Sequence, residues 1–148
     1  MPAVAKVSDE GIVRAARRLV ERDGVAALSM QAVADSVGVR APSLYKRFAD
    51  RAALLGAVQR QLFAELGERL EVAAARPGPQ LALRAMADAY RAFARAHPRL
   101  YELMFAPDVP RDDAGDAARR AAAQPILSRL QDRTGTARAL PTARVLTA

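Results

Sequence analysis

Cysteine and tryptophan are both missing from this 148-residue chain, and only 5% of its residues are aromatic. Without cysteine the chain can form neither a disulfide nor a thiolate metal site. No apolar run approaches the ~20 residues that a membrane-spanning helix needs. The opening M-P-A-V-A-K-V lacks the apolar core of a signal peptide. These absences predict a cytoplasmic protein with no membrane partner.

The sequence also offers little for catalysis or for metal binding. Its single histidine, His97, has no second histidine or carboxylate at ligand spacing, so a role at a helix end is favoured over metal binding. Asp108, Asp112 and Asp113 come nearest to a metal cluster, but they lack the ordered spacing of a calcium loop. A solvated loop explains them better. No paired nucleophile and base is visible, so we expect neither an enzyme nor a cofactor.

Positive charge exceeds negative charge, with 23 basic and 16 acidic residues and a net charge of +7. Such an excess fits a nucleic-acid partner, but its position matters more than its total. Residues 1–60 hold ten basic and six acidic side chains, so the excess is only mildly concentrated there. Only Lys6 and Lys46 are lysine, and this bias towards arginine can also reflect genomic base composition.

Apolar residues at helical spacing run through most of the chain, and no alternating segment of useful length indicates a strand. The pattern predicts an all-α fold. Ser8 is placed to cap a first helix that ends at Gly24, and Asp50 to cap a long one. Along the long helix an apolar residue recurs every four positions: Leu54, Val58, Leu62, Leu66 and Leu70.

Proline and glycine divide the carboxyl-terminal part of the chain into further helices. A break at residues 77–79 precedes one helix, which Pro98 ends before starting a shorter one. Residues 107–115 are predicted to form a polar loop. The Ala-rich helix after this loop is expected to be interrupted at Pro125 and to end at Gly135.

The most informative stretch runs from Ser29 to Leu55, where two short helices are predicted to meet at a tight turn. Ser29 can cap the first of them, with Leu28 and Val33 placed as the apolar staple across the cap. Gly38 then ends this helix, and the apolar residue that follows it turns inward at the corner.

Pro42 falls at the first position of the second helix, where its fixed φ is favourable. Leu44 and Phe48 lie four positions apart and are predicted to anchor to the core a rod that extends over residues 40–48. The outer face of this helix is basic and polar: Arg40, Ser43, Tyr45, Lys46 and Arg47. Helix, turn and helix in this order form a helix-turn-helix. The alternative is an ordinary helix pair whose basic face is only solvated.

Several short motifs follow one another in fixed order between Ile12 and Leu55. They are the Ala-Ala pair of the first helix, Asp23-Gly24, V-A-D-S-V-G-V, L-Y-K-R-F and D-R-A-A-L-L. In order and spacing they resemble the amino-terminal domain of the tetracycline-repressor (TetR) family, over roughly residues 9–58. The remainder resembles the family's variable carboxyl-terminal domain more loosely, chiefly through H-P-R-L-Y-E-L-M-F.

The resemblance implies a ligand-responsive repressor, usually a homodimer, that binds a double-stranded DNA operator. It predicts a helix-turn-helix domain over residues 1–55 and a helical effector-binding and dimerisation domain over residues 56–148. Leu140 and Pro141 look like the opening of another helix. Two further long helices usually come next in the family and form the dimer interface. Either this chain is incomplete at its carboxyl terminus, which we expect, or its dimer is formed differently.

Side-chain chemistry assigns phosphate contacts, which position a protein on DNA, to four residues. They match the family's usual phosphate contacts and are Ser29, Tyr45, Lys46 and Arg51. Ser29 offers a hydroxyl and the free N–H groups of a helix amino terminus. Tyr45 has an alternative role, packing beneath the second helix.

Base recognition is assigned to Arg40, because a guanidinium can bind guanine in the major groove through two hydrogen bonds. Ala41, Pro42 and Ser43 are small enough to let the helix approach the bases. Thymine methyl groups are plausible apolar partners for them.

The carboxyl-terminal part holds most of the large flexible and aromatic side chains of the chain. These residues are Met86, Tyr90, Phe93, Leu100, Tyr101, Met104 and Phe105. They could line an apolar pocket for a small-molecule effector, with tyrosine hydroxyls orienting it. The alternative is that they are simply core, and the sequence leaves both interpretations open.

Two other classes of protein also fit the sequence. A nonspecific, architectural DNA-binding protein would bind any duplex with equal affinity. A helical small-molecule-binding module without DNA function would be insensitive to loss of the basic side chains at Arg40 and Lys46.

Overall fold

The structure is a computed structural model that describes residues 7–107 and 109–134. Asp108, the helix end at Gly135 and the helix opening at Leu140 lie outside the described residues. Within those ranges the chain forms seven α-helices and no strand, which confirms the all-α prediction. The helices are α1 (Asp9–Asp23), α2 (Met30–Val37), α3 (Ala41–Tyr45), α4 (Arg51–Ala74), α5 (Pro79–Ala96), α6 (Pro98–Met104) and α7 (Asp113–Thr134).

Helix α1 begins and ends as its sequence predicts. The Ser8 hydroxyl accepts a hydrogen bond from the Gly11 N–H at 3.1 Å, and Gly24 ends the helix with a φ of 87°. The apolar face is buried through Ile12, Ala15, Ala16 and Val20. A single turn of 3-10 helix, Val25–Ala27, then leads to α2.

The turn between α2 and α3 is closed by glycine in the left-handed conformation. Gly38 has a φ of 71°, and the Val39 N–H donates to the Ala34 carbonyl at 3.0 Å. A residue with a Cβ adopts this backbone conformation only with strain. Helix α3 is shorter than the predicted rod over residues 40–48, because α-helix ends at Tyr45. After Tyr45 the backbone makes two turn hydrogen bonds, in which the N–H groups of Arg47 and Phe48 donate to the Leu44 carbonyl.

Helix α4 is capped by Asp50, whose carboxylate accepts from the Ala53 N–H at 2.7 Å. The predicted row of apolar residues along α4 is buried, with no member more than 3% exposed: Leu54, Val58, Leu62, Leu66 and Leu70. Among the residues that the structure describes, no helix is long and apolar enough to cross a membrane.

Two predictions in the carboxyl-terminal part need correction. Helix α7 continues through Pro125 from Asp113 to Thr134, so the predicted interruption is wrong. Proline can lie within a long helix when the surrounding structure offsets the lost hydrogen bond. The polar loop also ends before Gly115, because Asp112 accepts from the Gly115 N–H at 2.6 Å and α7 starts at Asp113.

By its contacts the chain divides into two compact units. Of the described residues, the first contains residues 7–59 together with those of His97–Arg111, and the second contains Arg60–Ala96 and residues 112–134. This differs from the predicted division into residues 1–55 and 56–148, because a segment from far along the chain joins the amino-terminal helices. As an assignment of roles to two contiguous domains, the predicted division stays a prediction.

Polar contacts attach the segment 97–111 to the rest of the first unit. Gln59, 2% exposed, donates from Nε2 to the carbonyls of Leu103 and Met104, each at 3.0 Å. His97 Nδ1 lies 2.6 Å from Glu21 Oε1. The Arg99 guanidinium donates to the carbonyl of Arg22 at the end of α1, where a cation complements the helix dipole. None of these pairs is close in sequence.

The last residues of α1 also carry a short-range ion pair. A side-chain hydrogen bond from Arg22 holds the pKa of Asp23 below its usual value, and the charges of Arg22 and Arg99 act in the same direction. Arg22 and Asp23 are both exposed, so we attach no stabilisation energy to the pair.

In the second unit, α4 and α7 approach closely at Gly67. A Cβ on Gly67 would lie 3.2 Å from the Ala122 Cα. Gly67→Ile is therefore expected to lower the free energy of unfolding by about 2 kcal/mol, as overpacking does. Urea denaturation of the full chain measures this, with Ala64→Ile at an exposed position of α4 as the control. Equal stability of the two variants would contradict the close approach.

Candidate nucleic-acid interface

Helix α3 is anchored by one side chain and presents its others to solvent. Leu44 is completely buried, whereas Tyr45 is 54% exposed. Ala41 is half-buried. The other residues assigned to DNA contact on this helix and next to it are exposed, namely Arg40, Pro42, Ser43 and Lys46. The structure therefore brings together, on the outer side of α3, the side chains expected to read bases and to contact phosphate.

Tyr45 has two predicted roles. Its exposed fraction of 54% shows that the ring does not pack beneath α3. The phenol is thus available to contact phosphate, next to the exposed ammonium of Lys46. The side chains of Ala41, Pro42 and Ser43 are small and project little from the helix, so a base edge could approach its backbone.

Ser29 lies at the start of α2 and is exposed. Its Oγ accepts from the Ala32 N–H at 3.0 Å, which confirms that Ser29 is the helix cap. A hydroxyl that accepts one hydrogen bond can still donate its own hydrogen. Ser29 can therefore stabilise α2 and donate to a phosphate at the same time.

Arg51 differs from the other assigned residues because its guanidinium bonds within the protein. Nε donates to the Leu28 carbonyl and Nη2 to the Val25 carbonyl, both at 2.6 Å. The side chain is half-buried. Its predicted phosphate contact stays a prediction, and the structure adds an internal role that the sequence did not suggest.

Arg47 has a comparable internal role. Its Nη1 lies 3.0 Å from Asp9 Oδ1 and also donates to the Val7 carbonyl, and 25% of the side chain is exposed. It therefore links the residues after α3 to the start of α1, although the sequence placed it on the outer basic face. Asp9 and Arg47 are far apart in sequence, and helical spacing cannot reveal such a pair.

No metal centre is formed by the residues in the described ranges, which contain no cluster of three or more potential ligands. Asp112 instead caps the start of α7 and pairs with Arg60 Nη1 at 3.1 Å. His97 is the residue that precedes α6, as its predicted helix-end role requires. The carboxylate beside it, from Glu21, comes from α1.

The seven residues considered for an effector pocket are divided between the two compact units. Met86 and Phe93 of α5 are at most 1% exposed, and so are Leu100 and Met104 of α6. Tyr90 and Tyr101 are half-buried, and Phe105 is 55% exposed with its ring centroid 5.1 Å from that of Tyr101. The four buried side chains thus lie in the core of this structure, and the role of the seven residues in an effector pocket stays a prediction.

Two open clefts lie on the described surface, one in each unit. The cleft of the first unit is about 420 Å³ and lies beside Ala15, Leu19 and Ser36. The cleft of the second is about 340 Å³ and lies beside Ala74, Pro125 and Arg129, whose guanidinium donates to the Ala74 carbonyl at 2.7 Å. Neither cleft is lined by any of the seven residues considered for the effector.

Comparison with known proteins places the helix pair in a family. Residues 12–58 match the family model for bacterial regulatory proteins of the tetR family. Residues 83–148 match the model for a tetracyclin repressor-like carboxyl-terminal domain. The first match spans most of α1, all of α2 and α3, and the start of α4, and so includes every residue assigned above to DNA contact.

An uncharacterized HTH-type transcriptional regulator of Mycobacterium tuberculosis is 32% identical to this chain over 125 residues, covering 84% of the chain and 57% of the relative. The chain thus spans just over half the length of that curated relative. Among solved structures, a Rhodococcus protein of unknown function has a TM-score of 0.82 at 28% identity, covering 98% of this chain and 80% of that one.

The TetR family transcriptional regulator PfmR of Thermus thermophilus has a TM-score of 0.67, and the match covers 92% of this chain and 80% of that one. At 19% identity it shows the shared fold alone. Two family models in succession, the curated relative and these folds agree with one another. This chain therefore belongs to the tetR family of bacterial regulatory proteins.

Proposed function

We propose that this protein is a sequence-specific DNA-binding transcriptional regulator that acts as a repressor. The observation that carries the proposal is the outer side of α3, where Leu44 is buried while Arg40, Ser43, Tyr45 and Lys46 face solvent. An α-helix fits the major groove of B-DNA, and its exposed side chains can then contact base edges and flanking phosphates.

In this proposal the contacts divide into two kinds. Arg40 binds a guanine edge, and the small residues Ala41, Pro42 and Ser43 allow the helix to approach the groove. Ser29, Tyr45 and Lys46 bind phosphates, which fixes the orientation of the protein on the duplex. Phosphate contacts release counterions, so the affinity should fall steeply as the salt concentration rises.

Selection from a random-sequence duplex library with the full chain tests the proposal. The recovered duplex should compete far better than a scrambled duplex of the same composition at fixed salt concentration. Specific sites typically bind about 10³-fold or more tighter than nonspecific DNA. Equal competition by both duplexes would instead establish the nonspecific, architectural function. Binding to neither duplex would indicate a helical small-molecule-binding module without DNA function.

The proposed assembly is a homodimer that places two copies of α3 in successive major grooves of a palindromic operator. The recovered sites should then contain two inverted half-sites about one helical turn apart or a multiple of it. Recovery of single, unpaired half-sites would contradict the dimer.

We further propose that a small-molecule effector releases the repressor from DNA. The support is the match of residues 83–148 to the family model for a tetracyclin repressor-like carboxyl-terminal domain. The effector shifts the protein away from its DNA-bound state only as far as its affinity differs between the two states.

A reporter gene placed behind the recovered duplex tests both parts of this proposal. Expression should fall when the chain is present and rise again when an active member of a small-molecule collection is added. Increased expression in the presence of the chain would contradict the repressor role. Repression that no member of the collection relieves would contradict the effector.

A further inference from the structure

The 3-10 turn Val25–Ala27 connects α1 to α2 without a buried side chain of its own. None of its three residues is buried, and no side chain caps it. Leu28 follows, 1% exposed, and then comes Ser29, which caps α2. The conformation of this turn therefore sets where Ser29 and the amino terminus of α2 lie.

Arg51 supplies two hydrogen bonds to this connection from the first residue of α4. Its Nε and Nη2 bond the carbonyls of Leu28 and Val25, both at 2.6 Å. The backbone that carries Arg51 is itself fixed, because Asp50 caps α4 through the Ala53 N–H at 2.7 Å. The planar guanidinium of Arg51 thus connects the start of α4 to two carbonyls. These carbonyls flank the exposed part of the turn.

We propose that Arg51 is a positioning residue for DNA recognition. It holds Val25–Leu28 against α4, so that Ser29 and the α2–α3 pair meet the duplex in one orientation. This inference rests on the proposed function and replaces a phosphate contact as the main task of Arg51. A phosphate contact remains the competing role that the experiment must separate from it.

Lysine at this position separates the two roles because it keeps the charge but changes the geometry. A guanidinium presents two parallel N–H donors along one edge, whereas an ammonium is a compact charge on a flexible stem. A phosphate binds either cation, arginine often through two hydrogen bonds and lysine as a point charge, and it does so equally in any duplex. The two carbonyls at Val25 and Leu28, however, match the guanidinium edge.

The first measurement is amide hydrogen exchange in the full chain without DNA. The Ala32 N–H, which donates to Ser29 Oγ at 3.0 Å, reports whether the start of α2 is held. Arg51→Lys and Arg51→Gln are each expected to lower its protection about tenfold, the effect of losing a hydrogen bond of ordinary net strength. Protection equal to that of the unmodified chain in Arg51→Lys would overturn the proposal.

The second measurement is the affinity for the selected duplex and for the scrambled duplex as the salt concentration is varied. Arg51→Lys should lower the preference for the selected duplex about tenfold, comparable with a mismatched base pair, and leave the salt dependence unchanged. Arg84→Lys makes the same exchange at an exposed position of α5 and should change neither quantity.

A different pattern would assign Arg51 to phosphate instead. In that case Arg51→Lys would leave the preference for the selected duplex unchanged, weakening both duplexes equally or not at all, while Arg51→Gln would weaken both equally and lower the salt slope by about one. If the unmodified chain shows no preference between the duplexes, the proposed function fails. The exchange of the Ala32 amide then still decides whether Arg51 holds the turn.

Discussion

Arg40→Ala and Lys46→Ala are expected to impair DNA binding in two different ways. Arg40 precedes α3 and is exposed, and a bidentate contact with guanine discriminates against other bases by about 1–3 kcal/mol. Its loss should lower the preference for the selected duplex about tenfold or more. Lys46 follows α3 and is exposed, and its loss should weaken both duplexes alike.

Titration of each variant at several salt concentrations measures the difference. For Lys46→Ala we expect the slope of log affinity against log salt to fall by about one, because one phosphate contact is lost. Arg84→Ala, which removes an equal charge from the exposed side of α5, is the control and should behave like the unmodified chain. An unchanged preference in Arg40→Ala would show that another residue reads the base.

Leu44→Ala is expected to lower the free energy of unfolding by about 2–5 kcal/mol. Leu44 is completely buried and is the one buried residue of α3, so its loss removes the anchor of this short helix and leaves a cavity. A helix of five residues has no stability of its own in water. We therefore expect α3 to lose its position even where the rest of the chain remains folded.

Tyr45→Ala at the adjacent position provides the matched comparison. Tyr45 is 54% exposed, and substitutions at such positions usually change stability by no more than about 0.5 kcal/mol. This variant should keep its denaturation midpoint and lose affinity for both duplexes through the phosphate contact. A large loss of stability in Tyr45→Ala, or a small one in Leu44→Ala, would mean that the two sides of α3 are assigned wrongly.

Local signals in the sequence were sufficient for the helix-turn-helix corner. A cap such as Ser29 acts on an N–H three residues away, and Gly38 is required because the backbone there has a φ of 71°. The row of apolar residues on α4 follows from helical periodicity alone. These features depend on residues within one or two turns of one another, and the sequence displays them directly.

The basic residues around α3 show where sequence reasoning stops. Arg40 and Lys46 are exposed, whereas Arg47 bonds Asp9 and Arg51 bonds the carbonyls of Val25 and Leu28. All four have the same charge and lie close together in the chain. Arg47 and Arg51 differ from the other two in exposure and bonding because the fold brings hydrogen-bond acceptors close to them. Neither composition nor spacing carries that information.

The sequence by itself determined the all-α fold, the caps at Ser8, Ser29 and Asp50, the glycine turn and the family, because each rests on short-range stereochemistry or on an ordered series of motifs. Only the tertiary structure decided that His97–Arg111 belongs with the amino-terminal helices and that Gln59 bonds the end of α6. It alone also showed that α7 continues through Pro125 and that Arg51 is bonded inside the protein. Each of these depends on groups far apart in the chain, or on surroundings that offset a locally unfavourable residue.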